Sequence, residues 1–86
     1  MIFRTRTIPA TDYHGTQVEV SFDGGEVDRS IVLVAWDYSV NDAHKAAVLE
    51  IAHAFGNDNR LVLRGYEWGV DSEGGVLFVD YQHIWE

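Results

Sequence analysis

Four histidines, His14, His44, His53 and His83, are the first candidates for chemistry in a chain of 86 residues with no cysteine. Without thiolates, any metal would have to be held by imidazole and carboxylate groups at helical or loop spacing. His44 and His53 stand nine positions apart, about 180° around a helix, so they cannot share one ion from one face. His14 falls in a loop and His83 on a terminal strand, and no histidine pair has the three- or four-residue spacing of a helical site. No metal and no cofactor is expected. His44 is expected to sit at a helix end, hydrogen-bonded near a sheet. None of the four serines lies in a nucleophile-elbow pattern. Glu67 and Asp80 fall on neighbouring strands and have the residue types of an acid–base pair, but Arg64 and Arg6 are equally placed to neutralise them as structural ion pairs. No catalytic residue is named, and the chain reads as non-enzymatic.

The stretch "SFDGGEVDR", Ser21 to Arg29, gathers Asp23, Glu26 and Asp28 around two glycines. A calcium loop of the helix–loop–helix kind needs carboxylates at alternate positions and a glutamate closing a twelve-residue loop, which this stretch lacks. A phosphate cradle would open a helix and avoid such charge. Between an alternating strand and an apolar one, Asp23-Gly24-Gly25 is instead the signature of a tight hairpin.

The elements that position these residues follow from periodicity. "IFRTRTI" (Ile2 to Ile8) alternates Phe3, Thr5 and Thr7 with Arg4 and Arg6, a strand that ends at Pro9, the one proline. "TQVEVSF" points Val18, Val20 and Phe22 one way and Gln17, Glu19 and Ser21 the other, as a half-buried strand does. "SIVLVAW" (Ser30 to Trp36) is apolar on both faces and reads as a strand that is central and covered on both sides, or at least flanked by large side chains. "DYSVNDAHKAAVLEIAHAFG" is the one helix, with Ser39 and Asp42 as a capping box and Gly56 as a positive-φ stop. Ala47, Val48, Ile51 and Phe55 form its packing side, and Lys45, Glu50 and His53 lie outside it. "RLVLRGYEW" (Arg60 to Trp68) and "GVLFVDYQHIW" (Gly75 to Trp85) form a second hairpin through "GVDSEGG". The expected fold is one α+β domain over residues 1–86. It is an antiparallel sheet of about five strands with one helix on one face, in the order β-β-β-α-β-β.

At 47% hydrophobic residues the chain has ample material for a core despite its 9.7 kDa. No segment approaches a membrane span, and "MIFRTRTIPATDY" has no apolar stretch of signal-peptide length, so the cytoplasm of a host cell is the expected compartment. Fourteen Asp and Glu against six Lys and Arg give a net charge of −8, which repels nucleic-acid phosphates and attracts basic proteins. Two surfaces are candidates for partner binding. One is acidic: Asp23, Glu26 and Asp28 at one hairpin tip and Asp71 and Glu73 at the other, mimicking a phosphate row if both tips project from one edge. The other is aromatic: Tyr66, Trp68, Tyr81 and Trp85, of the types that dominate protein–protein hot spots, with Trp36 assigned to the core. A single helix leaves the opposite sheet face solvated, self-paired in a homodimer, or covered by a partner.

The fragments "TRTIPATDYHGTQVEV", "AWDYSVNDAHKAAVLEIA" and "GGVLFV" resemble short acidic single-domain proteins of phages, prophages and plasmids, of the anti-CRISPR and anti-restriction type. The resemblance implies an inhibitor that occupies the nucleic-acid-binding surface of a basic host-defence protein, such as a CRISPR effector or a restriction component. It supplies no catalytic residues, and its matching positions, among them Trp36, His44, Gly74 and Gly75, look architectural. The other expectation is a structural or assembly module that dimerises, or binds a phage component, through its open sheet face.

Overall fold

The computed structural model describes residues 1–23, 30–71 and 74–83. Strands β1 (Ile2–Ile8), β2 (Gln17–Phe22) and β3 (Ser30–Ala35) precede helix α1 (Ala43–Asp58), and strands β4 (Leu61–Val70) and β5 (Gly74–His83) follow it. All neighbouring strands run antiparallel, in the spatial order β3-β2-β1-β5-β4. The fold is the expected α+β sheet with one helix on one face.

Alternation decides which side chains meet the helix. Phe3 pairs with Phe22 and Leu77, and Thr5 with Val20 and Gly75, all on the covered face. Phe3, Val18, Val20, Leu77 and Val79 from the sheet close over Ala43, Ala47, Val48 and Ala52 of the helix. Phe22 and Phe55 stack against Phe3 at 5.0 and 6.3 Å between ring centres, in tilted and edge-on geometries that aromatic pairs favour. Met1 seals the lower end, its ammonium donating to the Val79 carbonyl at 3.0 Å.

Three local expectations are corrected. The strand read as central, β3, lies at the sheet edge, with Ile31 60% and Leu33 52% exposed on the face away from the helix. An apolar pattern on both faces also suits an edge strand whose outer face is bare, and periodicity cannot separate the two cases. The helix begins at Ala43, because Asp42 is itself the N-cap and its carboxylate accepts the Lys45 N–H at 3.0 Å. Ser39 belongs to the preceding turn, where its N–H and hydroxyl both donate to Asp37 at 2.9 and 2.6 Å. Gly56 does not stop the helix, which runs on to Asp58. The left-handed residue is Arg60, at φ 57°. Gly56 is buried, and a β-carbon there would stand 2.9 Å from the Leu61 carbonyl and 3.2 Å from the Tyr81 ring.

Glycine is required most strictly at the start of β5. Gly74 has φ +156° and presses against the Thr5 carbonyl. The six-membered ring edge of the Trp68 indole lies over Gly75, where a β-carbon would fall 2.0 Å from a ring atom. Gly15, by contrast, has nothing within 4 Å of its β position. Gly75→Ala should therefore expel the Trp68 ring and destabilise the fold by about 1–3 kcal/mol or more, as overpacked cores do. Gly15→Ala should change stability by less than about 0.5 kcal/mol. Thermal unfolding and a red shift of tryptophan emission measure both effects, and equal stability of the two variants would refute the packing assignment.

Candidate functional site

The helix-covered face is organised around one polar node. Thr5, 5% exposed, is the buried polar side chain of the described core. Its hydroxyl oxygen accepts the Gly75 N–H at 2.8 Å and meets His44 Nδ1 at 2.8 Å. His44 Nε2 meets the Thr7 hydroxyl at 2.8 Å. The arrangement that pairs every group has the Thr5 O–H donating to Nδ1 and the Nε2–H donating to Thr7. Trp36 adds an edge-on contact to the imidazole at 5.6 Å. Both ring nitrogens of His44 are thus engaged in tying the helix to β1, the structural role expected for it.

The described aromatic candidates, Tyr66, Trp68 and Tyr81, also belong to this covered side. Register places Tyr66 opposite Val79, Trp68 opposite Leu77 and Leu63 opposite Tyr81, so Tyr66, Trp68 and Tyr81 do not reach the open face for which they were proposed. Trp68 and Tyr81 pack against the core, and the Tyr81 hydroxyl donates to the Ala52 carbonyl at 2.6 Å. Burial pushes the Tyr81 phenol up to about 12. Tyr66, 44% exposed, stays near the surface with the Lys45 ammonium 5.8 Å from its ring centre. Trp85 lies outside the described residues.

The two described acidic candidates, Asp23 and Asp71, do not share one edge. Asp23 follows Phe22, which pairs with Phe3 near the start of β1, whereas Asp71 bonds to Gly74, which pairs with Arg6 near its end. The two hairpins therefore leave the sheet at opposite ends, and the phosphate-mimic geometry with both tips on one edge is corrected. Glu26, Asp28 and Glu73 lie outside the described residues.

The uncovered face carries the remaining features. At its centre an open trough of about 560 Å³ is lined by Arg4, Arg6, Glu19, Ser21 and Asp71. Arg6 pairs with Glu19 at 3.1 Å, not with Glu67 or Asp80 as the sequence suggested, and Arg64 donates to Gln82. Around this polar strip lie exposed aliphatic and aromatic side chains: Ile31 and Leu33 on one flank, Ile2 and Phe78 on the other. These residues were missed as candidates, although the alternation that buries Leu77 and Val79 already sends Phe78 outward. No protein family, curated protein or solved structure matches the chain. Among the described residues, no helix is long and apolar enough to cross a membrane.

Tyr81 gives this geometry a titration signature. Its folded-state value lies above the ordinary 10.0, so its contribution is fully present below pH 10 and is lost as pH rises towards about 12. Stability measured by denaturant titration should decline across that window. Tyr81→Phe should remove part of the decline and cost about 1 kcal/mol at neutral pH through the lost hydrogen bond. An unchanged alkaline slope in Tyr81→Phe would show that other groups cause it.

Proposed function

We propose that the chain is a non-enzymatic protein-binding module that works through its open sheet face, as an assembly component of a phage or related mobile element. The observation that carries this reading is the exposure of Ile2, Ile31, Leu33 and Phe78 on the one face that no element of the described chain covers. The polar strip lies at the centre and the apolar groups flank it, the reverse of an interface with an apolar core and a polar rim, so the exposed apolar groups would supply contact area on either side of a polar register. The charges on this face are mixed: Arg4, Arg6 and Arg64 stand among Glu19, Glu67 and Asp80. Such a face favours a partner matched in shape over one attracted by charge alone.

The inhibitor reading, in which a basic host-defence protein such as a CRISPR effector is captured, draws its support from the net charge of −8. The two readings respond oppositely to salt. Association driven by surface charge weakens as the screening length shortens, whereas apolar burial persists.

Sedimentation of the purified protein, mixed in turn with phage assembly proteins and with effector complexes at low and high salt, separates them. The open-face reading expects a complex that survives high salt and loses about tenfold or more in affinity on Phe78→Asp. On this reading Asp23→Asn has little effect. A complex formed with an effector alone, abolished by salt and by Asp23→Asn, would replace this reading with the inhibitor.

A further inference from the structure

The two edges of the sheet differ in kind. Strand β4 carries Glu67 and Arg64 beside a register irregularity, a charge and a bulge that blunt edge-to-edge pairing. Strand β3, Ser30–Ala35, has no charge, no proline and no bulge. Its backbone polarity follows from one bond: the Trp36 N–H donates to the Thr16 carbonyl at 3.0 Å. Alternation along an antiparallel ladder then turns Val34 and Val32 towards β2 and leaves the N–H and C=O groups of Ile31, Leu33 and Ala35 facing outward. Among the described residues, none pairs with that side.

We infer that β3 is a dimerisation edge, pairing antiparallel with β3 of a second copy about a two-fold axis through Leu33. The register is self-complementary. Leu33 faces Leu33 of the second copy, and Ile31 faces its Ala35, each pair exchanging two backbone hydrogen bonds. The result is a continuous ten-stranded sheet in which Ile31 and Leu33, 60% and 52% exposed in the single chain, cover one another across the seam. Charge selects the occupant. A foreign charged strand would find no counter-charge on β3, while a second copy meets it without opposing like charges. Glu19, the acid directly beside Leu33 on β2, is already neutralised by Arg6 at 3.1 Å. The net charge of −8 on each body opposes association at low salt only, because that repulsion is screened. This inference rests on the backbone edge of β3; it shares Ile31 and Leu33 with the open-face reading but not Ile2 and Phe78, so each can fail without the other.

The test uses the full chain, whose lack of cysteine makes single-cysteine variants clean reporters. Sedimentation equilibrium of the unmodified protein should show a dimer whose fraction rises with salt. Under mild oxidation Leu33→Cys should cross-link into a covalent dimer, since facing residues of such a pair lie about 5.5 Å apart between α-carbons, within disulfide reach. Phe78→Cys, three strands away, should not cross-link. Leu33→Lys should give a monomer with an unchanged circular dichroism spectrum and a thermal transition that no longer rises with protein concentration. A chain that stays monomeric at every concentration and salt would overturn the inference. So would a dimer that cross-links through Phe78→Cys and not Leu33→Cys, which would instead mean pairing through the open face.

Discussion

The hydroxyl of Thr5 is the point on which the covered half of the molecule depends. It sits on β1, the central strand, and its oxygen serves β5 through the Gly75 N–H and the helix through His44. A buried hydroxyl without partners would cost about 1–3 kcal/mol, so Thr5 fixes where both neighbours must come. The close approach of β5 explains why two glycines begin that strand, and the space left above Gly75 is filled by Trp68. Trp36 is held on the other flank by the imidazole that Thr5 orients. One polar contact thereby sets the helix position, the β1–β5 seam and the seats of two tryptophans.

Much of this was legible in the sequence, for reasons that can be named. Period-two alternation in "TQVEVSF" and "IFRTRTI" gave the strands and their covered side chains, because burial on one face leaves that pattern. The two hairpins followed from acidic and glycine-rich connections, and the antiparallel ladders agree with them. The helix start shifted because Asp37 competes for Ser39 and leaves capping to Asp42. Strand order was not legible, since nothing local in "SIVLVA" distinguishes a strand covered twice from one covered once. Tyr66 and Trp68 were misplaced for a related cause. The irregularity between Leu63 and Gly65 resets the parity of β4, and the residues after it, Tyr66 and Trp68, turn to the helix side.

The distribution of charge follows from the topology more than from the totals. Asp23 and Asp71 fall at opposite ends because β2–β3 and β4–β5 flank β1 on either side and turn at opposite ends of it. Meanwhile β1, with Arg4 and Arg6 on its outward parity, carries cations to the middle of the open face. An acidic protein can therefore present a face that is close to balanced. A net charge describes the long-range field, but what a partner meets is set by the parity of each strand.

The contrast between covered and open faces also bears on size. A chain of this length buries only about 60–65% of its unfolded surface, and here the aromatic side chains of the core, Phe3, Phe22, Phe55, Trp36, Trp68 and Tyr81, are gathered under one helix. That concentration supplies a packed core from few residues, and among the described residues the other face of the sheet has no layer over it. Ile31, Leu33 and Phe78 are left in water by the same parity that buries Val32, Leu77 and Val79 partly or wholly. In an isolated chain each of these half-exposed groups forgoes about half of the ~1.5–3 kcal/mol that full burial of such a side chain supplies. The folded domain does not need them there, since polar residues at the same parity, such as Glu19 and Asp80, are accommodated on the same face. Their presence is better accounted for by a second layer or a neighbouring strand than by the stability of the single chain.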